Sequence, residues 1–173
     1  MPKDPSHIIK ALWEGSAKAI SDGSYKEGYD TAAIIVAGDL GQRIQDQVVA
    51  PGSTEDQSSF CSELTGIYAT ITLVNALCEY YIITQGSLEF VCDGLSALTQ
   101  VFGHSIITTK DLGYDIILAA RKARSQSPVI WKTRHVLGHQ DDNKNHTIRE
   151  WELLNIGVDK LAKQFLETAR ATP

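Results

Sequence analysis

The sequence predicts an α/β domain in which a mixed five-stranded sheet is flanked by helices. Apolar residues first cluster in three short segments before residue 50, separated by turn-prone residues, which is the pattern of an antiparallel meander. A long stretch after residue 59 then changes to a helical period, with apolar positions at i, i+3, i+4 and i+7. Each later strand pattern is reached through a helical one, in the order β β β α β α α β α. Such strands enter by crossovers, and the sheet therefore combines parallel with antiparallel pairing.

Residues 1–16 carry Ile8, Ile9, Ala11, Leu12 and Trp13 on a rough helical period and meet Gly15, a helix-ending residue. They read as a leading helix or a linker remnant, with the domain proper spanning 17–170. Residues 17–20, 31–37 and 44–49 supply the meander strands, and 26–30 and 38–42 the turns between them. The polar segment 51–59 ends in serines suited to cap a helix, with Glu63 expected in its first turn. Along that helix Leu64, Ile67, Tyr68, Ile71, Val74, Asn75 and Cys78 form one apolar face with a single polar interruption.

Leu88 to Cys92 forms a fourth strand, and a short helix over 95–102 follows directly. Asp111 is expected to cap the next helix, whose apolar residues include Leu112, Ile116, Ile117 and Ala120 and whose end is basic with Arg121, Lys122 and Arg124. Pro128 marks a restart. Val129, Trp131, Thr133, His135 and Leu137 then alternate as a fifth strand closed by Gly138. A polar stretch over 140–150 precedes a last amphipathic helix carrying Leu154, Val158, Leu161, Ala162 and Phe165, and residues 169–173 form a tail.

A chain of 173 residues, 43% hydrophobic, is long enough for one domain with a sizeable core. Its apolar runs fall short of the roughly 18 residues a membrane span needs, and its start lacks the order of a secretory signal. An intracellular monomer, cytoplasmic or nuclear and without a membrane partner, is expected. The three cysteines Cys61, Cys78 and Cys92 show no C-x-x-C spacing and read as buried thiols. A net charge of -5 argues against holding nucleic acid by bulk electrostatics, so any such binding is local or metal-assisted.

Asp22, Glu63, Asp93 and Asp159 stand where four different elements are expected to begin or end. Singly, each has a plain reading as a turn former or as a complement to a helix dipole. Brought together they would repel one another unless cations sat between them, which is the outline of a metal site.

The motifs carrying these acids are Asp22-Gly23-Ser24, Ser62-Glu63-Leu64, Cys92-Asp93-Gly94, Gly138-His139, and Asn155 followed by Asp159-Lys160-Leu161-Ala162. Together they resemble the ribonuclease H domain, which cleaves the RNA strand of RNA–DNA hybrids, over nearly the whole chain. The motif wording is most similar to ribonuclease H domains attached to retroelement reverse transcriptases. The resemblance implies a ribonuclease H-like fold, with Asp22, Glu63, Asp93 and Asp159 as ligands of two magnesium ions for which manganese substitutes. Two such ions, roughly 3.5–4 Å apart, flank the scissile phosphate and assist attack and departure. The resemblance also implies an auxiliary proton-moving role for His139 and substrate contacts from Gly23, Ser24, Ser59 and Asn155. An RNA–DNA hybrid is the implied partner, and a reverse transcriptase domain in the same polyprotein a further one.

The chain departs from the family pattern at several substrate contacts. Leu137 replaces a frequent Lys, Leu95 a frequent Gln, and Ser59, Phe60 and Cys61 stand where Arg or Asn is common. A weak or inactive domain that binds nucleic acid or serves as a connection is therefore the alternative. Asp141 or Asp142 is a candidate extra ligand, and Arg121, Lys122 and Arg124 are a candidate handle for DNA phosphates. A proofreading-type exonuclease would place a second acid where Ser24 stands, and an integrase would lack the Gly138-His139 and Asn155-to-Asp159 signature.

Overall fold

A computed structural model describes residues 4–26, 29–38, 42–50, 58–136, 160, 161 and 164. Five strands form one sheet in the order β3-β2-β1-β4-β5. Strands β1 (Ala17–Lys26), β2 (Tyr29–Ala37) and β3 (Arg43–Val49) pair antiparallel, while β4 (Ser87–Cys92) runs parallel to β1 and β5 (Ile130–His135) parallel to β4. The expected mixed sheet is thus formed, and α1 (Ser6–Glu14) ends as expected at Gly15 in the left-handed region, at φ 82°.

One sheet face carries the main core. Helix α2 (Ser59–Tyr80) lies across β1 and β2 and packs on α3 (Leu95–Phe102) and α4 (Tyr114–Ser125). Leu64, Ile67, Ile71 and Val74 of α2 meet Ala17 and Ala19 of β1 and Leu88, Phe90 and Cys92 of β4, and α1 adds Ile8, Ala11 and Leu12. By length and composition α2 could cross a membrane, but its apolar face is buried against the sheet, as befits a core helix. The opposite face carries a smaller cluster of Ile20, Ala33, Ile35 and Val91, against which Val136 and Leu161 pack. The carbonyl of Leu161 accepts a hydrogen bond from Gln47 Nε2 at 3.1 Å, fastening this residue of the closing segment to β3.

Several boundaries differ from expectation for local reasons. Strand β1 runs on through Asp22, Gly23 and Ser24 to Lys26, so Asp22 lies inside a strand rather than at its end. Gly23 lies inside the strand. A Cβ there would stand 2.5 Å from Ser62 Oγ and 2.7 Å from the Glu63 nitrogen, so the glycine lets α2 settle onto β1. Helix α2 is capped by Ser58, whose Oγ accepts from the Cys61 nitrogen at 3.1 Å; Glu63 therefore falls beyond the first turn, which carries no acid. Asp111 does not cap α4, since Gly113 holds that position and Asp111 Oδ2 accepts from the Thr108 nitrogen in the preceding turn.

Candidate metal centre

The parallel register of β1 and β4 builds the site. Ser21 and Cys92 are the last paired residues, so Asp22 and Asp93 are the next residues on neighbouring strands, where β4 ends and β1 continues against β2. Glu63 reaches the same place from α2: its Oε1 accepts from the Gly23 nitrogen at 3.1 Å, and its Oε2 lies 3.4 Å from Cys92 Sγ. Gly94 completes the wall. A side chain there would press on Glu63 Cγ at 2.9 Å, and its N–H donates to Cys92 Sγ at 3.3 Å.

Glu63, Cys92 and Asp93 each offer a ligand atom, and these lie within 4.8 Å of one another. Asp22 is buried, at 7% exposure, but it does not join this tight group. Ser21 and Gly23, on either side of it in β1, both approach α2. Asp159, His139 and Asn155 lie outside the described residues, as do Asp141, Asp142 and Leu137.

The electrostatics are those of two carboxylates confined together. Burial and, after it, the charge of Asp93 push the Glu63 carboxyl up to about 7, against the pull of its hydrogen bonds from Gly23 and Cys92. Asp93 Oδ1 is buried with no hydrogen-bond partner among the described residues. Carboxylate oxygens that repel each other, one of them orphaned, suit a hard divalent cation. Cys92 is fully buried, and burial together with the neighbouring acids holds its thiol well above the usual range. It therefore acts in this arrangement as an S–H donor to Glu63.

His135 belongs to the site's frame as well as to the alternation of its strand. It is registered with Cys92 across β4 and β5, and its Nε2–H donates to the Asp93 carbonyl at 3.0 Å. Its place in the alternation of β5 gives no sign of this, because the partner is a backbone atom on another strand. Asp30, also unremarked in sequence, is fully buried and accepts from the Ser58 nitrogen at 2.6 Å, anchoring the start of α2. Burial raises its carboxyl, partly offset by that hydrogen bond.

The expected substrate contacts fare unequally. Ser59 is exposed at the start of α2, Gly23 is taken up by Glu63, and the Ser24 carbonyl accepts from Thr31 Oγ1 at 3.5 Å. Cys61 is buried and Phe60 packs on the core, so of the three substituted positions ahead of Glu63 only Ser59 is exposed. Leu95 opens α3 beside Asp93, with 54% of its surface exposed. Arg121 and Arg124 are engaged within the fold rather than held out as a handle. Arg121 donates to the carbonyls of Gln100 and Ser105, each at 2.8 Å, and Arg124 to that of Phe102 at 2.9 Å.

No protein-family model and no curated protein matches the sequence. Solved structures do match the fold. The ribonuclease H1 of the halophilic archaeon Halobacterium salinarum aligns at a TM-score of 0.58 and 14% identity over 88% of this chain and 98% of its own. The N-terminal ribonuclease H domain of a Mycobacterium tuberculosis protein aligns at 0.56 and 14%, over 90% and 97%. A ribonuclease H1 isolated from compost aligns at 0.62 and 11% over 90% and 98%, and its complex with an RNA/DNA hybrid at 0.56 and 9% over 70% and 86%. The chain has a ribonuclease H-like fold.

Proposed function

We propose that this chain is a metal-dependent ribonuclease H-type domain that hydrolyses the RNA strand of an RNA–DNA hybrid, and does so weakly when isolated. The observation that carries this reading is the pairing of Glu63 with Asp93 at the end of β4, where two acids crowd one another and an Asp93 oxygen stands buried without a partner among the described residues. Asp22, one residue beyond the last paired rung of β1 and β4, and Asp159 of the closing segment are the proposed remaining ligands. Bound divalent cations, two magnesium ions or manganese in their place, would neutralise the scissile phosphate and stabilise its attacking and departing oxygens. Glu63 and Asp93 fix where that charge sits, His135 holds the Asp93 backbone, and His139 is assigned the auxiliary proton transfer.

Weak binding follows from the net charge of -5 and from the arginines turned to structural use. Attachment to a reverse transcriptase, which rests on motif wording, would offset this by raising the local concentration of hybrid. A second reading, an inactive module that binds nucleic acid or connects other domains, is favoured by the position of Asp22 outside the tight acidic group.

One experiment separates the two. The purified chain with magnesium or manganese should cut a labelled hybrid internally, Asp93→Asn should abolish cutting, and the variant should remain folded. A hybrid left whole by the folded wild-type chain with either ion would overturn the hydrolase reading in favour of the inactive module.

A further inference from the structure

The site contains one ligand of a different chemical kind. Cys92 Sγ shares the 4.8 Å cluster with the oxygens of Glu63 and Asp93, and it already touches Glu63 Oε2 at 3.4 Å. The sulfur also accepts a hydrogen bond from the Gly94 nitrogen at 3.3 Å, a backbone contact of the kind that steadies a metal-bound thiolate. Magnesium has no use for such a donor, because hard cations take oxygen. Zinc and cadmium do, since thiolate is a preferred ligand of soft or borderline cations.

Resting on the metal-site reading above, we infer that this centre captures thiophilic divalent cations of the zinc class through Cys92 Sγ, with Glu63 and Asp93 as the oxygen ligands, and is thereby closed to the hard cation that serves hydrolysis. The exchange is balanced. The S–H bond gives up its proton to solvent, the sulfur lone pair forms the metal–sulfur bond, and no oxidant or reductant is involved. The other thiols do not share this position, because neither Cys61 nor Cys78 joins the cluster.

Cadmium titrated into the full chain tests this through its thiolate-to-metal charge-transfer absorption, which needs no turnover. The band should saturate at one ion per chain, disappear in Cys92→Ser, and persist in the Cys61→Ser and Cys78→Ser variants. Cadmium affinity should fall roughly tenfold to a hundredfold in Cys92→Ser, at least the loss seen when a supporting residue of a metal site is removed. Where Cys92→Ser does not fold, cadmium NMR of the wild-type chain distinguishes a ligand set containing sulfur from one of oxygen alone. Manganese binding, followed by loss of the free-ion paramagnetic signal, runs beside it. Manganese bound but no charge-transfer band, or a band unchanged in Cys92→Ser, overturns this inference and leaves the hydrolase reading standing. Neither ion bound overturns both.

Discussion

Replacing Gly23 with alanine tests how the site is assembled, without relying on any activity. The new methyl carbon would stand 2.5 Å from Ser62 Oγ and 2.7 Å from both the Glu63 nitrogen and the Ser62 carbonyl carbon. The hydroxyl can rotate away, but the two backbone atoms belong to α2 and can move only with the helix. Overpacking of this sort costs about 1–3 kcal/mol, and disturbing the Gly23 N–H bond to Glu63 adds about 1 kcal/mol. The smaller conformational entropy of an unfolded alanine returns roughly 0.4–1 kcal/mol. The net expectation is a loss of roughly 1–3.5 kcal/mol, equivalent in a chain of this length to a Tm lower by on the order of 2–14 °C. Urea unfolding followed by circular dichroism measures it, with Ser24→Ala as the neighbouring control expected within about 0.5 kcal/mol of wild type. Manganese affinity should fall as well, because moving α2 moves Glu63. A Gly23→Ala chain as stable as the control would refute the claim that close helix–strand approach explains this glycine.

Glu63 sets a pH dependence whose sign is opposite to that of an ordinary paired carboxylate. Its folded value of about 7 lies above the ordinary 4.5, so the folded state binds the extra proton between them and the metal-free chain loses stability as pH rises through that window. The loss should be on the order of 1–3 kcal/mol, absent from Glu63→Gln, and a thermal unfolding series from pH 4 to 8 that shows no such difference would refute it. His135→Ala should cost about 1 kcal/mol of stability but lower hybrid cleavage by more than its folded population explains, and equal losses in both would remove His135 from the site's frame. Arg121→Ala should cost roughly 1–2 kcal/mol in unfolding yet leave the salt dependence of hybrid binding unchanged, whereas a slope lower by about 1 would restore the phosphate-handle role.

The fold was legible where a pattern is local and periodic. The meander, the long α2 face and the short helix directly after β4 all follow from residues within a few positions of one another, and each is formed. The errors fall where a tertiary contact reassigns a residue of strong local preference. Asp22 reads as the end of a strand with Gly23 and Ser24 after it, but β1 runs on to Lys26, and the close approach of Ser62 and Glu63 requires the glycine inside the strand. Asp111 read as a helix cap, yet it ties the turn at Thr108 and leaves α4 to begin at a left-handed Gly113, φ 73°. The arginines of α4 read as a free basic end, and the carbonyls at the close of α3 that receive them are some 20 residues away in sequence.

The site was legible in its acids and illegible in what holds them. Asp22, Glu63 and Asp93 are conspicuous because charge is rare beside apolar runs, whereas Cys92 and His135 look like ordinary strand residues and gain meaning only through the β1–β4–β5 register. That register puts the thiol beneath Glu63 and the imidazole against the Asp93 carbonyl. The two acids nearest each other therefore come from elements fixed in different ways. Asp93 is held by its backbone at a strand end, whereas Glu63, on a helix whose height over β1 is set by Gly23, is held by hydrogen bonds that Gly23 of β1 and Cys92 of β4 donate to its carboxylate. Burial and, after it, their repulsion raise Glu63, and both are sustained by packing of the main core around Leu64, Ile67 and Cys92. A cation that bridges the pair has only to offset repulsion the fold already maintains, so its binding should appear as added stability above the Glu63 transition near pH 7, where the carboxylate is charged and needs it most.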